Sequence, residues 1–420
     1  MKKYAPLLLL TFVNIIGFTL LIPVLPMIVK LYAPGEYESV FYGALLSSYA
    51  LFQFIGSPFL GALSDKYGRR PLLFVSQLGT LISWAIFGMA YFVPTTLVLG
   101  LQLPIFIIGF SRIVDGITGG NISVAQAWIA DVAPPEEKTK AFGAMGATFG
   151  LGFLIGPAIG GLTASSQYGY AGTAAVAFLI SLVTLLVIYF MLPESLAEKD
   201  RDKELEFSFW NEINFWKKIM QFRQSEGVFR VLLYRLFFAL VLSSFVTIFI
   251  LYMDHQLGLS PQMLGLTLSS IGLFSVFNQV VVTHRVVKKY GPMKTVYMAF
   301  FLVAVGSCSI PLIPMNLYFS SISMTIVLFT ICSFLINLGI SLANPAFKTL
   351  LTNKVSPKQQ GVINGVDESI VAIGNATMPI VAGWLYTLVG AYVFFTNIVL
   401  LLMPISILWL RKRGLLIRRT

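Results

Sequence analysis

The chain has 420 residues, of which 57% are hydrophobic and only 11% charged, and it carries a formal net charge of +11. Its mean hydropathy is +0.82. A soluble domain carries about 25% charged residues, so that class is excluded. Apolar runs of about 20 residues recur along the whole length, each long enough to cross a bilayer. They are continuous rather than alternating, which excludes a β-barrel.

Twelve spans are predicted, near 5–29, 41–63, 72–93, 104–130, 141–164, 171–192, 229–253, 262–284, 293–313, 317–347, 362–386 and 390–410. The run from Ala5 to Val29 is too long for a signal peptide and is followed by no small-residue cleavage site, so it reads as the first span. An even count puts both termini on one side. With Met1 inside, 27 of the 29 Lys and Arg fall in cytoplasmic segments, including the whole basic stretch from Lys199 to Arg235. Only Lys30 and Arg112 are left over. This bias makes both termini cytoplasmic and directs the positive charge to anionic inner-leaflet lipid rather than to nucleic acid.

Taken in chain order, the first span carries Asn14, Gly17, Phe18, Pro23 and Pro26. The string GALSDKYGRRP (61–71) lies between the second and third spans, with Asp65, a turn glycine at Gly68, Arg69, Arg70 and Pro71. Four charges cannot be left in lipid, so this knot sits at the water boundary. The fourth span holds SRIVDGITGG, in which Arg112 and Asp115 are three apart on one helical face, well inside the span. The fifth holds GLGFLIGPAIGG (150–161). There Gly152, Gly156, Gly160 and Gly161 leave a face on which a neighbouring backbone can approach, and Pro157 permits a kink. Asp254 and His255, at the outer end of the seventh span, read as an outer rim; the alternative is a proton relay. The eleventh span carries Asp367 and Glu368. Lys348 on the tenth should lie at similar depth, giving a Lys348–Asp367 salt bridge, or leaving Glu368 as a second protonation site or a contact for a cationic substrate.

A repeat of about 223 residues relates the halves: Tyr67-Gly68 recurs as Tyr290-Gly291, Pro134 as Pro357, and Pro157 as Pro379. It predicts an N-terminal six-helix bundle over 1–192 and a C-terminal one over 229–420, as parallel repeats with a substrate site near the midplane. The linker, 193–228, begins with PESLAEKDRDKELE, which reads as solvated. It continues with Phe209, Ile213, Trp216 and Met220 at helical spacing, an amphipathic helix on the inner leaflet. Cys308 and Cys332 fall inside apolar runs and form no disulfide framework or metal site. No phosphate-binding GxxxxGK[ST] loop and no catalytic constellation is present, so neither ATP-driven transport nor an enzyme is expected, nor any cofactor.

GALSDKYGRRP resembles the cytoplasmic loop signature of the major facilitator superfamily of secondary transporters. In that family the acid of the loop meets the eleventh span, and the arginine pairs with an acid at the inner end of the fourth, where this chain has Asp131. The resemblance thus implies an inner gate of Asp65, Gly68, Arg69, Arg70 and Asp131; the alternative is a charge cluster that fixes orientation only. GxxxGPxxGG in the fifth span resembles the antiporter signature of exporting branches, and Gly17, Pro23 and Pro26 resemble the first-helix signature of drug/proton antiporters. Arg112 followed by Gly116 resembles the family's arginine signature associated with proton transfer, which implies that Asp115 takes up and releases a coupling proton; the alternative is a static ion pair. The chain is similar to tetracycline exporters nearly throughout. It has Asn14 and Ser83 where they carry acids, however, and no acid in the ninth span.

The expectation is therefore an all-α polytopic protein of the bacterial inner membrane, a monomer, exporting a small amphipathic molecule in exchange for protons. Polar and aromatic residues at mid-depth are the cavity candidates: Asn14, Phe18, Tyr49, Gln53, Gln126, Phe153, Asn278, Gln279 and Asn337. Two rival readings are an exporter of a metabolite, siderophore or lipid, and a non-transporting sensor or scaffold that keeps the fold.

Overall fold

The computed structural model describes residues 4–201, 220, 222, 225–312, 322–355 and 360–412. The helices that carry the membrane runs are α1 (Ala5–Leu20), α2 (Leu25–Tyr32), α3 (Glu38–Tyr67), α4 (Arg69–Met89), α5 (Leu103–Thr118), α6 (Asn121–Val132), α7 (Pro135–Ala164) and α8 (Gly169–Met191). They continue as α9 (Glu226–His255), α10 (Pro261–Phe277), α11 (His284–Tyr290), α12 (Pro292–Ser309), α13 (Ile322–Thr352), α14 (Gln360–Val389) and α15 (Thr396–Lys412). A two-residue hairpin, Leu97–Val98 with Leu101–Gln102, precedes α5. Most of the amphipathic helix expected at 209–220 lies outside the described residues, as does Pro357 of the repeat.

Ten helical stretches among the described residues are long and apolar enough to cross a membrane, and α1 with α2 make an eleventh. The last stretch, Ile363–Leu408, is 46 residues long. At about 1.5 Å per residue it is roughly twice the ~30 Å hydrocarbon thickness, so it holds two passes, α14 and α15. They part at the six-residue 3₁₀ segment Gly390–Phe395, which opens on Gly390 with φ +56°.

Several predicted spans are less regular than hydropathy suggests. The first is broken over 21–24 and bends by 41°, because Pro26 starts α2 and cannot extend α1. The fourth divides at Gly119–Gly120. The eighth carries one π-helical stretch, Asn278–Thr283, between α10 and α11. Pro157 and Pro379 both lie within unbroken 30-residue helices. The second span does not stop at 63: α3 runs to Tyr67 and α4 starts at Arg69, so the expected loop reduces to Gly68 at φ +104°. Gly291 performs the same turn between α11 and α12 at φ +79°. Only glycine takes this backbone without strain.

The chain forms two units, Met1–Ile213 with Met253–Leu273, and Asn214–Tyr252 with Phe274–Thr420. In the first, the core at the Gly68 end gathers Tyr4, Leu7, Leu73, Val124 and Trp128. The buried Trp128 indole donates to the Pro193 carbonyl at 2.9 Å. In the second, stacked aromatics fill the core, with Phe249 4.7 Å from Phe329 and Phe238 5.6 Å from Phe300, ring centre to ring centre.

Candidate functional site: buried ion pairs and charged helix ends

Arg112 and Asp115 on α5 are both buried. Their helical spacing puts Nη1 of Arg112 3.1 Å from Oδ2 of Asp115. Arg112 also donates through Nη2 to the Ser83 hydroxyl at 3.1 Å, and Ser83 in turn donates to the Ser111 carbonyl at 2.9 Å. The guanidinium lies 4.8 Å from the Trp84 ring centre and 5.3 Å from that of Phe87, where the aromatic faces offer further negative potential. Ser83 therefore supplies one acceptor and no countercharge. Asp115 is the sole carboxylate in ion-pair contact with Arg112 among the described residues.

Close helix packing encloses this pair. A Cβ at Gly116 would meet the Tyr49 carbonyl at 2.6 Å, and one at Gly120 would meet Leu60 at 2.8 Å. The Gln53 amide donates to the Tyr49 hydroxyl at 3.1 Å and to the Gly119 carbonyl at 3.0 Å, which satisfies the backbone freed at the α5–α6 break. Gln53 is thus engaged in holding that break. Phe18 lies 5.4 Å from Tyr49 and 6.5 Å from Phe153, centre to centre, and both phenylalanines are exposed. Asn14, one turn before Phe18, is half-buried, and Gln126 is exposed.

The fifth-span glycines divide between two partners. Cβ atoms at Gly152, Gly156 and Gly160 would collide with Ile15, Thr19 and the Leu20 carbonyl of α1; at Gly161 one would collide with the Pro261 carbonyl of α10. From the α10 side, Gly265 abuts the Pro157 carbonyl and Gly272 the Phe153 carbonyl. The Thr19 hydroxyl lies 3.1 Å from the Gly152 carbonyl it donates to.

At the Gly68 turn, Asp65 Oδ1 is 2.6 Å from Arg69 Nη1, and Arg69 Nε is 3.0 Å from Asp131 Oδ2. The pairing of Arg69 with Asp131 is the expected one. The PESL segment, by contrast, is not simply solvated. Glu194 accepts from the backbone N–H groups of Arg69 at 2.9 Å and Arg70 at 3.2 Å, and Ser195 donates to Asp131 at 3.0 Å. A carboxylate there meets the free amides and positive end of α4. Arg70 donates to the Tyr189 carbonyl at 2.6 Å.

The second unit corrects two expectations. Asp367 pairs with Arg235, Nε to Oδ1 at 2.6 Å, and not with Lys348. Arg235 is buried in α9, not in a cytoplasmic segment, and its Nη1 donates to Asn344 at 2.8 Å. Among the cavity candidates, Asn278 and Asn337 are buried and bonded to each other at 3.2 Å, with Gln279 exposed beside them. Glu368 is exposed and has no ion-pair or hydrogen-bond partner among the described residues. Gly365 and Asn375, also exposed, share its helical face.

Arg235 lacked a sequence signal because its partner is 132 positions away. Glu194 lacked one for the same reason, its partners Arg69 and Arg70 lying 125 and 124 positions away. A second missed cluster joins Lys30 of α2 and Glu38 of α3 to the rim residues Asp254 and His255. Lys30 Nζ lies 2.8 Å from Asp254 Oδ2, and His255 Nε2 lies 2.9 Å from Glu38 Oε1.

A helical membrane bundle with buried ion pairs, a charged turn between its second and third spans and a glycine seam has the parts of a secondary transporter. The model of the Major Facilitator Superfamily matches residues 7–366, and the chain belongs to that family of transporters. It is 31% identical to the class C tetracycline resistance protein of Escherichia coli, over 88% of this chain and 86% of that one. It is 28% identical to the class B protein of Escherichia coli, over 94% of each. Multidrug resistance protein 2 of Bacillus subtilis is 27% identical, over 96% of this chain and 94% of that one. Among solved structures, the human organic anion transporter MFSD10 superposes with a TM-score of 0.70 at 22% identity, covering 97% of this chain and 99% of that one. The D-xylose–proton symporter gives 0.71 at 15% identity, over 95% and 96%. These likenesses bear out the all-α major facilitator fold.

Proposed function

We propose that the chain is a proton-coupled antiporter that exports a small amphipathic organic molecule from the bacterial cytoplasm by alternating access. The observation that carries this reading is the buried Arg112–Asp115 pair. An isolated charge inside a membrane is costly, and among the described residues Asp115 is the one carboxylate that offsets Arg112. Protonating Asp115 therefore leaves Arg112 on Ser83 and the aromatic faces alone, so the proton and the local packing are coupled. The Phe18–Tyr49–Phe153 cluster, with its two phenylalanines exposed, together with Asn14 and Gln126, suits an apolar substrate carrying a few polar groups.

Export rather than uptake is supported by the tetracycline and multidrug resistance proteins among the relatives. Asn14 and Ser83, in place of acids, favour a substrate other than tetracycline. A metabolite, siderophore or lipid is the second reading for that reason. On this reading both termini face the cytoplasm, and Asp65, Arg69 and Asp131 belong to the inner gate.

In proteoliposomes with an imposed pH gradient, a panel of radiolabelled amphipathic compounds should yield at least one that accumulates against its gradient. Asp115→Asn should abolish that accumulation and spare downhill exchange. Full coupling in Asp115→Asn would overturn the proton assignment, and a wild-type protein that moves nothing would favour a sensor or scaffold.

A further inference from the structure

We propose that His255 is a second, regulatory proton site, and that its protonation closes a charged latch joining α2, α3 and the end of α9. The latch rests on the antiport reading only for its consequence in the cycle. Its geometry stands by itself.

Nε2 of His255 faces two carboxylates at once, Glu38 Oε1 at 2.9 Å and Asp254 Oδ2 at 3.5 Å. A neutral imidazole either donates from that nitrogen, balancing neither negative charge, or presents a lone pair to two anions. A protonated one donates from it and brings a positive charge. The order Glu38, His255, Asp254, Lys30 then alternates in sign along contacts of 2.9, 3.5 and 2.8 Å. The groups facing the histidine and its partners include Glu38 and Tyr42 from α3, Lys30 from α2, and Asp254 from its own helix. Tyr42 is fully buried. Asp254 is itself only 8% exposed, so its charge needs partners. Histidine is the side chain whose charge changes between about pH 5 and 8. A proton on His255 therefore places a positive charge between the two carboxylates.

A metal is the competing occupant, since the Glu38, Asp254 and His255 ligand atoms all lie within 4.8 Å of one another. The Lys30 ammonium already sits on Asp254 Oδ2, however, and repels a second cation from it. The latch also rims a cavity of about 330 Å³ lined by Pro23, Met27, Lys30, Asp254, Leu259 and Pro261. That cavity lies at the end of the α7–α10 glycine seam where Gly161 meets Pro261. Closing the latch thus braces the same end as the seam. In the orientation proposed above this end faces outward, so external acid would hold the outer side shut.

The test needs no substrate. Spin labels at Tyr37→Cys and Gln256→Cys, with Cys308 and Cys332 replaced by Ser, report the separation across the latch by pulsed electron resonance. At pH 5.5 one short distance should dominate, and its population should fall at least threefold by pH 8. His255→Gln and Glu38→Gln should each remove this dependence, and His255→Lys should keep the short distance at both pH values. A wild-type distribution that does not change with pH would overturn the proposal. So would a full shift retained in His255→Gln or, if that variant does not fold, in Glu38→Gln. A closure that appears only with added zinc and vanishes with chelator would assign the site to a metal instead. Transport lost with the latch intact, or the reverse, separates this inference from the antiport reading.

Discussion

At the residue scale, the two buried arginines that lie within a span, Arg112 and Arg235, are each held by a carboxylate, a neutral oxygen and an aromatic ring. Arg112 has Asp115, Ser83 and Trp84; Arg235 has Asp367, Asn344 and Phe347. Such an arrangement offsets the guanidinium charge without a second acid, which is how Ser83 can stand where a resembling exporter has a carboxylate. It also makes the remaining acid indispensable. Removing one partner of a buried pair costs about 3–5 kcal/mol, because a charge is left uncompensated. Asp367→Asn should therefore lower the melting temperature in detergent markedly. The double variant Arg235→Gln, Asp367→Asn should recover most of the loss, since neither charge remains. A single variant as stable as the wild type would mean that Arg235 finds another partner, and would remove the structural argument for the pair.

At the element scale, glycine placement decides where helices touch. Gly160 leaves room for the Leu20 carbonyl, a backbone atom that cannot swing aside, whereas Gly146 on the same helix has nothing within 4 Å of an added Cβ. Gly160→Ala should destabilise the protein by about 1–3 kcal/mol through overpacking. Gly146→Ala should be neutral, or stabilising by up to about 1 kcal/mol, because alanine favours the helix. Thermal unfolding of the two variants checks this, and equal effects would refute the seam. The spans themselves were legible, since a run of about 20 apolar residues has few other uses. So was the fifth-span glycine face, from its four-residue spacing. That it serves two helices was not, because which helix meets Gly160 and which meets Gly161 is decided by tertiary packing. The break at Gly119–Gly120 and the π-helical stretch at 278–283 were hidden for a related reason. The hydropathy runs continue straight through them, and only hydrogen bonds from elsewhere, such as Gln53 to the Gly119 carbonyl, make the irregular backbone tolerable in lipid.

At the scale of the whole molecule, the repeat's turn is built twice, but among the described residues only the first copy carries ion pairs. Gly68 and Gly291 make the same positive-φ turn between consecutive helices, 223 positions apart. Around Gly68 gather Asp65, Arg69, Asp131 and Glu194, all joined by ion pairs or hydrogen bonds. Around Gly291 stand the exposed Lys288 and Lys289, the latter 5.2 Å from the Tyr290 ring centre, and no ion pair is formed there among the described residues. The sequence THRVVKKYGPM already lacked the acid, so this asymmetry was readable; the capping of α4 by Glu194 was not, because its partners lie 124 and 125 positions away. If the charged turn is a gate and not merely an orientation signal, the two repeats must respond differently to loss of charge. Asp65→Asn should slow turnover at least tenfold while leaving substrate affinity within about twofold, because it frees Arg69 from one of its two acids without touching the aromatic wall. Lys288→Asn, which only thins an exposed basic patch, should leave both nearly unchanged. A topogenic cluster predicts the opposite pattern, in which removing Lys288 or Arg70 changes the proportion of molecules inserted in each orientation and Asp65→Asn does nothing. Turnover and affinity in oriented vesicles, measured with protease accessibility of the C-terminus, therefore decide between a gate and an address at the Gly68 turn.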